Sequence, residues 1–174
     1  MKVLVAYYSE TGNTKKLAMA IYEEASKEHE AYLRKIEDVS ADTLNNYDLV
    51  FLGSACHSMD LAAPAKRILD GIPHSPKFKL AGFFTHATSS EGFNRWASKC
   101  ILSFQEASKE KKIGFEGYYN CQGVPSPPIQ EFIKREVITS AAEYEEYFEE
   151  VRKHPSLEDL QKAKEFARKI LSHA

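Results

Sequence analysis

The chain has 174 residues, 43% of them hydrophobic and 28% charged, with a net charge of −2; that suits one globular domain with a core of its own. So balanced a charge excludes the basic footprint of a nucleic-acid binder, and no apolar run approaches the roughly 20 residues of a membrane span. Cys56, Cys100 and Cys121 form no C-x-x-C and the histidines no pair at helical metal spacing, which leaves neither a disulfide framework nor a metal site.

In chain order, Val3–Tyr8 is continuously apolar and rich in β-branched residues, as a strand buried on both faces is. It stops short of the roughly seven apolar residues of a signal h-region, so a cytoplasmic protein is expected. The stretch S-E-T-G-N-T (Ser9–Thr14) follows at once, and Leu17, Ala20, Ile21 and Ala25 then mark a helix from about Asn13 to Glu28. Ala31–Ile36 reads as a weaker strand near a sheet edge, and Tyr47–Ser54 (with L-V-F-L) as another buried one. Pro64 and Gly71 bracket a short helix. Leu80–Thr85 is a further buried strand. The stripe Trp96, Ala97, Ile101, Phe104 and Ala107 predicts one helix after it, and Ile113–Cys121 a fifth strand. The last helix carries Leu157, Leu160, Ala163, Phe166, Ala167, Ile170 and Leu171 and is capped by Ser156.

Strands alternating with helices mean right-handed β-α-β units and an α/β parallel sheet covered on both faces. Five strands in one domain of this length favour a doubly wound sheet of order 2-1-3-4-5. One domain over residues 1–174 is expected, with an extra helical segment at about 124–155. That segment opens with V-P-S-P-P and carries apolar residues at near-helical spacing. Left exposed, they would form a patch too large for a soluble monomer. The segment is therefore expected to fold back over the neighbouring loops, or to meet a second copy of the chain in a homodimer.

In such a sheet ligands sit beyond the carboxyl ends of the strands. The first strand–helix turn is then a site by topology, and a helix N-terminus offers unpaired N–H groups to an anion. Gly12 permits close backbone approach or a positive φ, and Ser9, Thr11 and Thr14 supply hydroxyls. Ser9–Thr14 reads as a phosphate cradle of neutral donors, the plainer alternative being an ordinary capped turn. Neither G-x-G-x-x-G nor G-x-x-x-x-G-K-[ST] is present, and no G-x-S-x-G or paired carboxylates suggest hydrolysis.

The residues Y-S-E-T-G-N-T resemble the T/S-x-T-G-x-T phosphate loop of the flavodoxins, small FMN-binding electron carriers. L-V-F-L-G-S and A-C-H-S-M-D continue the resemblance, which covers about Met1–Gly123 and resumes at the last helix. It implies FMN as cofactor, its phosphate on Ser9, Glu10, Thr11, Gly12, Asn13 and Thr14. It also implies a flavin ring between the loop Ser54–Asp60 (Ser54, Ala55, Cys56, His57) and the loop Thr85–Phe93 (Thr85, His86, Ala87, Phe93). The chain departs from the flavodoxin pattern in lacking Trp or Tyr in those loops, in its modest charge, and in the 124–155 segment. Cys56 beside His57 reads as a small apolar residue rather than a reactive thiol. Trp96, Tyr144 and Tyr147 read as helix packing. With no Gly in Ala55–Asp60 to ease a backbone turn, two-electron cycling of the flavin is expected.

Three functions follow. The first is an FMN electron carrier serving a redox partner protein or a small-molecule acceptor. The second is an NAD(P)H- or quinone-dependent FMN oxidoreductase, and the third a flavodoxin-like module without flavin. Nucleic acid and membrane are not expected as partners.

Overall fold

The computed structural model describes residues 1–89 and 92–173; Ser90 and Glu91, inside the expected Thr85–Phe93 loop, lie outside the described residues. Among the described residues six strands and seven α-helices follow one another as β1 (Lys2–Tyr7), α1 (Asn13–Ala25), β2 (Glu30–Lys35), β3 (Leu49–His57), β4 (Asp60–Leu61), α2 (Ala63–Gly71), β5 (Lys79–His86), α3 (Phe93–Trp96), α4 (Ser98–Lys111), β6 (Gly114–Gln122), α5 (Pro127–Phe132), α6 (Ala141–Val151) and α7 (Leu157–Leu171). The five long strands are parallel, in the order β2-β1-β3-β5-β6. That is the expected 2-1-3-4-5 arrangement, with β1 inside and β2 at an edge.

Period-two alternation sends each central strand's side chains to both faces. Leu4, Val50, Leu52, Leu80 and Phe84 pack with Ile68, Leu69 and Phe104 of α2 and α4. Val3, Val5, Phe51 and Phe83 pack with Leu17, Ile21, Ala163 and Ala167 of α1 and α7. Each fully buried Leu, Ile or Phe contributes roughly 1.5–3 kcal/mol of hydrophobic stabilisation. Ser156 accepts from Asp159 N–H and Asp159 returns a bond to Ser156 N–H, a capping box at the start of α7.

Three differences from the sequence expectation matter for the site. The strand expected to end at Ser54 runs on to His57, because Cys56 and His57 pair antiparallel with Leu61 and Asp60. The stripe from Trp96 to Ala107 is not one helix: Ala97, at φ −137 and ψ −15, separates α3 from α4. The break leaves the Trp96 carbonyl out of any helix ladder, where it accepts from the Cys56 thiol at 3.5 Å. The first helix stops at Ala25, with Ser26 as its C-cap, rather than reaching Glu28. Residues 127–151 hold α5, a π-helical turn over Ile133–Val137, and α6, whose Val151 is fully buried.

Candidate functional site

The turns after β1, β3, β5 and β6 leave the same, carboxyl edge of the sheet. After β1 the chain reaches Gly12 at φ +88, the N-cap of α1, which carries no side-chain cap bond. Lys15 N–H reaches Ser9 Oγ at 3.3 Å, but among the described residues no protein acceptor faces the N–H groups of Thr11, Gly12, Asn13 or Thr14. An added Cβ on Gly12 would meet nothing within 4 Å. The helix therefore presents orphan donors and its positive end to open space, which is what an anion needs.

The polar side chains of this turn divide into two sets. Asn13 is buried and donates to Thr11 Oγ1 at 2.8 Å and to the Val124 carbonyl at 2.7 Å. That bond orients the Thr11 hydroxyl as an acceptor inward and leaves its proton free outward. Thr14 is buried against Thr85, with the hydroxyl oxygens 2.9 Å apart, so it ties the turn to β5 and is less available to a ligand than Ser9 or Thr11. The Glu10 carboxylate is drawn sideways, accepting from Tyr8 Oη at 2.6 Å with His57 Nε2 at 3.6 Å. Its hydrogen bond pushes the Tyr8 hydroxyl up to about 12. Gly123 packs so closely on Asn13 that a Cβ would stand 2.9 Å from its side chain.

After β3 the polypeptide reverses through Ser58 and Met59, at φ 48 and φ 69. A two-residue hairpin of this kind needs positive φ at both positions and favours Asn-Gly; two non-glycine residues there store roughly 1–3 kcal/mol each. Asp60 anchors the strained turn. It is buried and accepts from Leu61 N–H at 2.7 Å, Lys66 Nζ at 2.5 Å and Ser103 Oγ at 2.5 Å. Burial works to raise its carboxyl, and these donors overcome that and hold it below the ordinary range. Ser54 is fully buried, donating to the Ala55 carbonyl and accepting from Ala62 N–H. It braces the hairpin and lines neither of the two cavities at this edge, whereas Ala55, Cys56 and His57 line the narrower one.

After β5, His86 is buried, with Nδ1 3.2 Å from the Thr88 carbonyl and Nε2 3.0 Å from Asn120 Oδ1. Gly123 N–H donates to the His86 carbonyl, Gln122 Nε2 to the Thr88 carbonyl, and Tyr147 Oη to the Ala87 carbonyl at 2.6 Å. Phe93 lies against Phe84 and edge-on to His86, 5.1 Å between ring centres. It supports the histidine from behind and lines neither of the two cavities at this edge.

Burial lowers the pKa of His86 more than Asn120 and Thr88 raise it. Because the unfolded state then binds the proton more readily, stability is complete above the ordinary value of 6.5 and falls as pH drops below it. A urea-unfolding series at pH 7.5, 6.5 and 5.5 should show this loss, and a His86→Asn variant should show a flatter slope. Equal slopes would mean that the imidazole does not titrate differently on folding.

Two cavities that share part of their lining occupy this edge. A narrow one of about 50 Å³ runs beside Glu10, Thr11 and Asn13 to Ala55, Thr85 and Gly123. A larger one of about 480 Å³ lies between the β3–β4 hairpin and residues 86–89, under Phe132, Val137 and Tyr147. Cys56, His86, Ala87 and Ile129 line both. The sequence reading missed Trp96, Phe132 and Tyr147 as cavity residues, since each stands in a helical stripe that reads as packing. Tyr144 does pack, stacked on Phe148. Among the described residues no group of three His, Cys, Asp or Glu could hold a metal ion, and no helix is long and apolar enough to cross a membrane.

A family model described as "Flavodoxin domain" matches residues 4–168. The flavodoxin-like domain-containing protein BilS of Clostridioides difficile is 31% identical over 181 aligned positions, covering 100% of this chain and 98% of that protein. An uncharacterized protein of Methanocaldococcus jannaschii is 29% identical, covering 99% and 100%. Among solved structures, oxidised flavodoxin 2 from Bacillus cereus superposes with a TM-score of 0.70 at 22% identity, covering 100% of both chains. Oxidised flavodoxin 1 from the same organism superposes at 0.65 and 19%, covering 100% of this chain and 99% of that one. At these identities the superpositions speak for the fold.

Proposed function

The chain belongs to the flavodoxin-domain family, and on that premise we propose that it holds FMN non-covalently at the carboxyl edge of its sheet and passes electrons through it. The observation that carries the reading is the uncapped start of α1, where orphan N–H groups face open space beside Gly12. The phosphate would lie on the N–H groups of Thr11–Thr14 and the free hydroxyl protons of Ser9 and Thr11. Glu10 would contribute its backbone, its carboxylate being held off by Tyr8. The narrow cavity leads from there past Thr85 and Ala55 to Cys56, His86 and Ala87, where a ring would rest. The bound flavin would supply the one- or two-electron chemistry; the polypeptide positions it and excludes water. Cys56, Cys100 and Cys121 are all free thiols, which accords with a reducing cytoplasm. A second reading, an FMN oxidoreductase acting on a small molecule, is favoured by the roof that residues 129–138 and Tyr147 place over the larger cavity.

The test is a flavin-fluorescence titration with FMN and with riboflavin, which lacks the phosphate. FMN should bind the more tightly. Replacing Ser9 and Thr11 together by Ala removes two donors worth about 1 kcal/mol each. FMN affinity should then fall roughly 30-fold, by the rule of 1.4 kcal/mol per factor of ten, with riboflavin unchanged. Equal affinity for the two flavins would overturn the cradle. Electron passage is checked by mixing photoreduced, FMN-loaded protein with ferricytochrome c, which should be reduced.

A further inference from the structure

We infer that Cys56 and Cys100 form a reversible oxidation site, a dithiol that a hydroperoxide converts to a disulfide at the wall of the expected flavin seat. The inference goes beyond the flavin reading, because the two thiols and the path to them exist without the cofactor. Three observations carry it.

The first is which thiols can meet. Cys100 belongs to the core on the α2 and α4 side of the sheet, and Cys56 packs against that same core. Cys121 sits in the core on the opposite side, with α1 and α7. Side chains on the two faces of a sheet point away from each other. Of the three possible pairs, only Cys56 and Cys100 share a compartment.

The second is their contact. The Cys56 thiol donates to the Trp96 carbonyl at 3.5 Å. The break at Ala97 makes α4 start at Ser98, and Cys100 N–H closes its first turn on the Ala97 carbonyl at 3.1 Å. A helical side chain leans back over the turn before it. The Cys100 thiol therefore leans toward Trp96 and Ala97, where Cys56 is already bound, and the two thiols lie within hydrogen-bonding reach of each other.

The third is a division of roles. Cys56 is half-buried and lines both cavities of the carboxyl edge, whereas Cys100 is fully buried. A small peroxide entering from that edge meets Cys56 first. The Cys56 sulfur, burial and the Asp60 carboxylate push the Cys100 thiol up, so it stays protonated and does not start the reaction. One thiol is placed to be attacked and the other to resolve it. Cys56 is thus more than the small apolar residue that its sequence context suggests.

The chemistry balances with one hydroperoxide, ROOH. The Cys56 sulfur attacks a peroxide oxygen, the O–O bond breaks, and Cys56–SOH forms while the Cys56 proton leaves with the alkoxide as ROH. The Cys100 sulfur then attacks the Cys56 sulfur. An S–S bond forms, the S–O bond breaks, and the departing hydroxide takes the Cys100 proton as water. The two sulfurs give up two electrons and the peroxide takes both. A small thiol reverses the step by exchange. A ring resting against Cys56 would close the path, so flavin occupancy would gate the oxidation.

The test applies hydrogen peroxide to the FMN-free and the FMN-loaded chain, with dimedone to trap sulfenic acid and non-reducing peptide mass spectrometry as the readout. FMN-free protein should form one intramolecular Cys56–Cys100 bridge, keep Cys121 as a thiol, and return to three thiols with dithiothreitol. Cys100→Ala should stop at the sulfenic acid, with dimedone on Cys56, and Cys56→Ala should resist the same dose. Should the buried Cys100 not tolerate replacement, the wild-type peptides decide alone. A lasting dimedone adduct on wild-type Cys56, a bridge through Cys121, disulfide-linked dimers, or no loss of thiols would each overturn the inference. FMN should slow bridging at least tenfold. Bridging at an unchanged rate with FMN bound would overturn the gate and the ring's placement beside Cys56, with the thiol pair intact. Failure to bind FMN would sink the functional reading alone, since the FMN-free reaction still decides the pair.

Discussion

Replacing Gly53 by Ala should lower stability by about 3 kcal/mol, the upper part of the range for overpacking a full core. Gly53 sits in β3 directly beside Phe83 of β5, and the Phe83 side chain, fully buried, lies across it. An added Cβ would stand 2.1 Å from Phe83 Cζ and 2.2 Å from Cε2. The ring has nowhere to go, because it is packed in the same cluster as Phe51, Leu17 and Ile21. At roughly 2–4 °C per kcal/mol for a chain of this length, the melting temperature should fall by about 6–12 °C. Because the loss is a pairwise clash, Phe83→Leu should relieve part of it. The double variant should lose less than the sum of the two single ones, and strict additivity in urea unfolding would refute the mechanism.

Replacing Asp60 by Ala should cost about 3 kcal/mol, the lower end of the range for breaking a buried ion pair. The low end applies because Lys66 and Lys99 keep much of their side chains in solvent and regain hydration when released. Asp60 joins the strained Ser58–Met59 turn to α2 through Lys66 and to α4 through Ser103. The cost should therefore appear locally as well, as faster amide exchange in the β3–β4 hairpin. The folded carboxyl is held below its ordinary 3.8. Its stabilisation is thus complete above that value and is lost as pH falls below it through the folded pKa. The gap between wild type and variant should narrow in acid. A loss under 1 kcal/mol at pH 7, or a gap independent of pH, would show that the carboxylate does not hold the hairpin.

Much of this protein is legible in local pattern. The runs Val3–Tyr8, L-V-F-L and L-A-G-F-F-T are continuous because their strands are covered on both faces, and the α1 and α7 stripes repeat at helical spacing because one side of each helix meets the sheet. Right-handed crossovers between parallel strands, with five strands in one domain of this length, favour the 2-1-3-4-5 order that the structure has. The turn S-E-T-G-N-T is legible too, since glycine at a strand–helix junction implies a backbone conformation with few alternatives, and φ +88 at Gly12 is that conformation.

What each site residue faces was decided elsewhere. Ser54 and Phe93 stand in the expected loops yet turn behind them, Ser54 to brace the hairpin and Phe93 to support His86. Trp96 turns into the cavity because the helix breaks at Ala97, which no hydrophobic stripe records. The seat of the 124–155 segment rests on Asn13 reaching the Val124 carbonyl and Tyr147 reaching the Ala87 carbonyl, bonds between residues 111 and 60 positions apart. Sequence alone determined the sheet, its order and the anion-ready start of α1, because those depend on patterns repeating every two to four residues. Only the tertiary structure decided that a roofed cavity adjoins that start, because its described walls come from separate stretches of chain that meet only once the core has closed.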